Sequence, residues 1–172
     1  MGIRIENGIL KDCAADTVTA VIPSEVTTIL EAAFIDCSQL AAVTVPATVT
    51  KIEAGAFLGC ENLRSVTVDE GNPAYCDMGG VLYDKDKTVL LCYPAGRTDT
   101  EFTVPDGVTT IADSAFACCK NLRKITLPDS VTLIDDYAFL RCENLSDINI
   151  SGDNVKIGEG AFEKCVCERE NV

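Results

Sequence analysis

Five phenylalanines, Phe34, Phe57, Phe116, Phe139 and Phe162, are separated by 23, 59, 23 and 23 residues. Each follows an alanine (Ala33, Ala56, Ala115, Ala138, Ala161) and stands three positions before a cysteine: Cys37, Cys60, Cys119, Cys142 or Cys165. Leu40, Leu63, Leu122 and Leu145 come three positions later, and Pro23, Pro46, Pro105 and Pro128 repeat at intervals of 23, 59 and 23. The long interval is one period of 23 plus an insertion of 36. A unit this short cannot enclose a core, so its apolar columns are buried only when successive units stack.

Periodicity assigns the parts of each unit. Val43-Thr44-Val45, Val66-Thr67-Val68, Ile125-Thr126-Leu127 and Ile148-Asn149-Ile150 alternate with period 2 and read as strands. Proline closes most of them, because its ring nitrogen cannot donate to a ladder. Val26-Thr27-Thr28-Ile29 and its equivalents read as a second short extended segment. Ala-Phe-x-x-Cys is too short for a full helix and reads as a tight helical turn on the opposite flank. Successive strands then pair in parallel at roughly 4.8 Å.

Composition narrows the function classes. The 172 residues carry 14 Lys and Arg against 27 Asp and Glu, a net charge of −13. That balance opposes binding to phosphate backbones or anionic membranes, so no nucleic acid and no membrane insertion are expected. There is no histidine, which removes Ser-His and Cys-His nucleophile pairs and His-ligated metals. No apolar run reaches the 18 or so residues of a membrane span. Residues Met1 to Gly8 lack the charged-then-apolar layout of a secretory signal, which makes a cytoplasmic protein one reading. The ten cysteines invite a disulfide framework. Five form one inward column, however, and stacked parallel Cβ vectors suit a disulfide torsion poorly. Reduced, structural thiols that pack as small hydrophobes are expected instead.

The motif Leu-x-x-Ile-x-Leu-Pro followed by Val-x-x-Ile-x-x-x-Ala-Phe-x-x-Cys, seen in full at Leu122–Pro128 and Val131–Cys142, resembles the bacterial BspA-like (Treponema-type) leucine-rich repeat. The resemblance covers about residues 15–167. It implies an α/β leucine-rich-repeat solenoid, a right-handed stack of 23-residue coils. A parallel strand face would lie on one side, with short turns or helical turns opposite. Members of the family are commonly surface-exposed or secreted bacterial proteins implicated in adhesion and protein binding. The family brings no catalytic residue and no cofactor, and none is assigned here.

One domain over residues 1–172 is expected: a capping hairpin at 3–22, two repeats at 23–68, a hairpin insert at 69–104, two repeats at 105–150, and a degenerate repeat with a tail at 151–172. In the insert, Asn72-Pro73-Ala74-Tyr75 has turn chemistry. Gly80–Tyr83 and Thr88–Tyr93 then read as strands around a turn at Asp84–Lys87. Asn7-Gly8-Ile9-Leu10 echoes Gly79-Gly80-Val81-Leu82. In the last unit Ser151 replaces the proline and Glu168 the leucine.

Two surfaces are candidates for partner binding. The outward strand positions are Thr44, Ser65, Thr67, Glu101, Thr103, Lys124, Thr126, Asp147 and Asn149, beside Ala42. The alternative is that threonine simply suits an exposed strand. The hairpin carries Tyr75, Tyr83 and Tyr93, which would serve recognition if it protrudes and would only pack the insert if it lies flat. Cys118-Cys119 and Cys165-x-Cys167 lack the partners a zinc site wants, and one cysteine of each pair should face away from the core. The acidic pairs Asp135-Asp136 and Asp84-x-Asp86 read as solvated turn residues, since a plain solenoid has no cleft. These features favour a monomeric, non-enzymatic interaction module for a protein or glycan partner, on a cell surface or secreted. A structural spacer within a longer protein is the alternative. A carboxylate-based glycosidase would need two acids about 5–10 Å apart in a pocket.

Overall fold

The computed structural model describes residues 2–35, 37–150 and 154–167. The expectations placed on Ser151 and Glu168 lie outside them. Every regular element among the described residues is a β-strand. The chain opens with a hairpin of β1 (Ile3–Glu6) and β2 (Ile9–Cys13). Asn7 and Gly8 turn it with φ of 52° and 74°, as a two-residue turn matched to strand twist requires.

Two kinds of strand then alternate along the coils. The longer kind is β3 (Thr19–Val21), β5 (Ala42–Val45) and β7 (Ser65–Val68), paired in parallel with a shift of 23 residues per coil: Thr19 on Ala42 on Ser65, and Val21 on Thr44 on Thr67. The same arrangement recurs in β11 (Glu101–Thr103), β13 (Lys124–Thr126) and β15 (Asp147–Asn149). The shorter kind forms the flank. There β2 pairs in parallel with β4 (Thr28–Ile29), and β4 with β6 (Lys51–Ile52). Beyond the insert, β10 (Val89–Cys92) pairs with β12 (Thr110–Ile111), followed by β14 (Leu133–Ile134) and β16 (Lys156–Ile157).

The Ala-Phe-x-x-Cys segment is not helical. Positive φ is taken two residues before each column phenylalanine, at Ala32, Gly55, Ser114, Tyr137 and Gly160, and two residues after Phe57, Phe116, Phe139 and Phe162, at Gly59, Cys118, Arg141 and Lys164. A left-handed residue every four positions prevents continuous i to i−4 bonding. The segment instead makes two i to i+3 turns, as in Leu58 N–H to Gly55 O and Cys60 N–H to Phe57 O. The fold is therefore a β-solenoid of about six turns, and the α/β description is corrected on this flank.

Amides that a helix would have bonded internally bond along the stack instead. Phe34 donates to Ala56 O at 2.9 Å, Phe116 to Ala138 O at 2.7 Å, and Phe139 to Ala161 O at 2.8 Å. Their rings stack as well: Phe34 on Phe57 at 5.2 Å, Phe116 on Phe139 at 5.0 Å, and Phe139 on Phe162 at 5.2 Å. The column cysteines explain themselves in the same geometry. Three of the thiols donate to the carbonyl of the phenylalanine one coil back: Cys60 to Phe34 O at 3.0 Å, Cys142 to Phe116 O at 3.0 Å, and Cys165 to Phe139 O at 2.9 Å. An asparagine column runs beside them. Asn62 donates to Ser38 O, Asn121 to Arg97 O and Asn144 to Lys120 O at 2.6, 2.7 and 2.8 Å. Aromatic stacking, thiol bonding and amide bonding thus repeat with the coil.

The insert divides the stack into two blocks. It adds β8 (Tyr75–Met78) and β9 (Val81–Asp84), paired antiparallel, and β9 pairs antiparallel with β10. Strand β9 is a partition. Leu82 enters the interior of the first block, while Val81 and Tyr83 enter that of the second, following the two-residue alternation of a strand. Asn72, buried in the connection, spends all its amide capacity there. Its nitrogen donates to Pro46 O and Val49 O, and its oxygen accepts from Ala74 N–H and Tyr75 N–H. The hairpin also satisfies the exposed edge of the first block. Val66 N–H donates to Gly80 O, Val68 N–H to Asp77 Oδ1, and Ile52 N–H to the Tyr75 hydroxyl at 2.8 Å.

Candidate functional site: strand face and inter-block cleft

The nine strand-face positions divide between the two blocks. Thr44 and Thr67 stand exposed on the first, while Ser65 is half-buried because the Gly79-Gly80 turn lies against it. A Cβ on Gly80 would come within 2.9 Å of the Ser65 Cβ, so only glycine allows this approach. On the second block, Glu101, Lys124 and Asp147 form one in-register row of alternating charge, with Lys124 Nζ 3.3 Å from Asp147. Thr103, Thr126 and Asn149 form the next row, exposed except for half-buried Thr126. The face is polar and lacks aromatic rings.

The three hairpin tyrosines lie inside. Tyr83 is 1% exposed, Tyr93 2% and Tyr75 9%. The insert does not protrude, since β9 is sandwiched between the blocks and its rings fill them. Burial pushes the Tyr83 hydroxyl up to about 12. Tyr93 has a further role that its sequence context did not signal. Its N–H donates to Ala115 O at 2.8 Å, the Cys119 thiol points to its carbonyl, and its ring stacks on Phe116 at 5.1 Å. It is therefore the aromatic rung of the coil that the insert supplies. Its hydroxyl donates to Asp99, and Arg97 both bonds Asp99 and lies 5.3 Å over the ring. The Arg97 guanidinium, then the Tyr93 hydroxyl, hold the Asp99 carboxyl below the usual carboxylate range.

Two expectations about cysteines need correcting. Cys118 does not face away. It is buried where the blocks meet, near the Glu61–Lys120 ion pair at 2.9 Å, and burial raises its thiol. Cys167 is half-buried against Cys165, whose hydrogen bond, followed by burial, pushes the Cys167 thiol pKa up. No group of three or more His, Cys, Asp or Glu among the described residues is placed to hold a metal ion.

The expected absence of a cleft is also overturned. In ordinary coils five positions lead from the flank isoleucine to the ring, as from Ile52 to Phe57 or Ile111 to Phe116, but the insert coil goes from Leu90 to Tyr93 in three. The turn corresponding to Asp113-Ser114 is missing. A cavity of about 160 Å³ opens there between Phe57 of the first block and Tyr93 of the second. It is continuous at Leu58 and Asp113 with a shallower hollow of about 340 Å³ reaching Ile35 and Tyr137. Glu53, Asp113 and Asp135 line the cavity. Asp113 accepts from Ser114 Oγ, and Asp135 accepts from Asp136 N–H. The hydrogen bond from Lys51, and then that from Glu31 N–H, lower the Glu53 carboxyl, the wrong direction for a general acid. Asp84 is tied to its own turn, accepting from Thr88 N–H, Thr88 Oγ1 and Val89 N–H.

A ladder of 23-residue coils with leucine, phenylalanine and cysteine columns defines a leucine-rich-repeat protein. The chain belongs to the BspA type leucine-rich repeat family, whose model matches six copies over residues 3–75 and 96–170. Among solved structures it is similar to a leucine-rich cell surface protein of Faecalibacterium prausnitzii, at 30% identity and a TM-score of 0.70, covering 86% of this chain and 45% of that one. The pneumococcal vaccine antigen PcpA is similar at 20% identity and a TM-score of 0.63, covering 85% of this chain and 48% of that one. The Treponema pallidum leucine-rich repeat protein is similar at 23% identity and a TM-score of 0.55, covering 91% and 80%. The latter two share the fold alone. The chain spans less than half the length of the first two. No functionally curated protein matches it.

Proposed function

We propose that this chain is a non-enzymatic interaction module of a bacterial cell-surface protein, engaging a protein or glycan partner through its strand face. The observation that carries the reading is the in-register face itself. Parallel pairing holds Thr44 beside Thr67, Glu101 beside Lys124 and Asp147, and Thr103 beside Thr126 and Asn149. Short side chains fixed by a ladder lose little entropy on binding. The cell-surface neighbour at 30% identity supports the location. The repeat family, generally non-catalytic, supports a binding role over chemistry.

Immobilised protein should capture a partner from host-cell or extracellular-matrix extract. Capture should fall at least about tenfold in Thr67→Lys/Thr103→Lys, with thermal stability unchanged. Capture that ignores these substitutions, or its absence from both extracts, would remove the strand face from the account.

A further inference from the structure

The inter-block cleft has the features of a vacant rung. Elsewhere in the stack the ring-bearing residue donates its amide to the following coil: Phe34, Tyr93, Phe116 and Phe139 to Ala56, Ala115, Ala138 and Ala161. Among the described residues Phe162, the last described rung, has no such acceptor, and Phe57 has none although another block follows it. Gly59 is in the same position, whereas its equivalents Cys118 and Arg141 donate to Leu140 O and Glu163 O. The ring ladder breaks at the same point. Phe57 stacks on Phe34 and Tyr93 on Phe116, but no ring contact joins Phe57 to Tyr93 among the described residues. The intervening cavity of about 160 Å³ matches a single aromatic ring, since an apolar cavity of roughly 150 Å³ accommodates benzene.

The electrostatics select the neighbours of that ring. Glu53, Asp113 and Asp135 line the cavity, Glu31 lines the adjoining hollow, and no lysine or arginine among the described residues lines either. Lys51 offsets Glu53 from outside the lining, at 2.7 Å. Ile35 and Tyr137, 49% and 37% exposed, extend an apolar floor beyond the cavity.

We infer that the cleft binds an extended peptide segment of a partner protein, in which an aromatic side chain is flanked by lysine or arginine. The ring occupies the slot between Phe57 and Tyr93. A backbone carbonyl of the segment accepts from the Phe57 amide, as a following coil would. The flanking cations lie over Asp113 and Asp135. This is addition of a strand-like segment to an incomplete ladder, where main-chain bonds give affinity and alternate side chains give specificity. The site is separate from the strand face, so either can fail while the other stands.

The test titrates the whole chain, followed by amide NMR shifts, with the blocked peptide Gly-Lys-Phe-Lys-Gly and with its Lys-Ala-Lys and Glu-Phe-Glu counterparts. The Phe57 and Gly59 amides should shift, with Thr44 and Thr67 unmoved. Replacing the peptide phenylalanine by alanine should weaken binding about tenfold, and the acidic peptide should bind at least about tenfold more weakly. Ala54→Trp, at the rim shared by both hollows, should block binding, and Asp113→Asn/Asp135→Asn should weaken it about threefold or more. Thermal melts establish that both variants fold, and if Ala54→Trp does not, the double variant and the peptide comparisons decide alone. Failure of the basic peptide to bind at millimolar concentration overturns the inference. So do equal affinities for the phenylalanine and alanine peptides, equal affinities for the basic and acidic ones, and shifts confined to the strand face.

Discussion

Phe116 is the most heavily used rung of the ladder, and its removal should separate a shared interior from a string of independent turns. The side chain is fully buried, with Tyr93 at 5.1 Å on one side, Phe139 at 5.0 Å on the other and Phe102 at 6.0 Å. Phe→Ala in a core typically costs about 3–5 kcal/mol. Two stacked neighbours, each worth about 0.5–1.5 kcal/mol beyond area, place Phe116→Ala at the upper end, ~4–5 kcal/mol. Phe57 is chemically identical but half-buried, with one ring neighbour, Phe34 at 5.2 Å, and an open cleft on its other side. Phe57→Ala should cost roughly half as much, about 2 kcal/mol. Urea unfolding followed by far-ultraviolet circular dichroism measures both, and the midpoint difference gives the ranking even where the two blocks unfold in separate steps. A Phe116→Ala loss below about 1 kcal/mol, or one no larger than that of Phe57→Ala, would refute the aromatic ladder of the second block.

The column thiols should make the protein sensitive to alkali. Burial raises Cys92, and hydrogen bonding from neighbouring column thiols raises Cys142 and lifts Cys165 to about 12, all from an ordinary value of 9.0. A raised folded-state value means that the contribution is complete below pH 9 and is lost as pH climbs from there towards the folded value, by up to about 1.4 kcal/mol per pH unit for each fully buried thiol. Denaturation midpoints should therefore be flat from pH 7 to 9 and fall between pH 9 and 12, and a flat profile to pH 11 would contradict it. Tyr75→Phe leaves the Ile52 amide without its acceptor at the end of the first block and should cost about 1–2 kcal/mol in urea unfolding, with no change in the slope. Gly96→Ala would set a Cβ 2.3 Å from the Asn62 carbonyl carbon, where the blocks close on each other. The melting temperature should drop by several degrees, and an unchanged one would show that this contact yields freely.

The repeat was legible because period is independent of detail: Phe, Cys, Leu and Pro recur at 23 whatever the turns do. Strands at Val43–Val45 and Val66–Val68 followed from alternation. The flank was misread as helical because Ala, Leu and Arg around Phe139 suit a helix by intrinsic propensity. The contrary signal was present in Gly55, Gly59 and Gly160, which mark the left-handed positions that Ser114, Cys118, Tyr137 and Arg141 occupy in other coils. The asparagine column was equally visible at Asn62, Asn121 and Asn144. A polar residue beside a cysteine and a leucine reads as a solvated turn until the neighbouring coil supplies its carbonyl. The cleft could not be read from the sequence. It arises because two residues are missing between Leu90 and Tyr93, and that shortfall has meaning only once Tyr93 is known to stand in the phenylalanine column. The sequence left open whether Tyr83 protrudes or packs, because nothing local reveals that β9 has a packed block on each face.

The stacking of one coil on the next is tested most directly by scalar couplings transmitted through hydrogen bonds in isotopically labelled protein. The account predicts couplings from the Phe116 amide nitrogen to the Ala138 carbonyl carbon and from Phe139 to Ala161, in each case to a residue one coil further along the chain. Coupling from Phe116 back to Ala112, as in an α-helix, would contradict the solenoid.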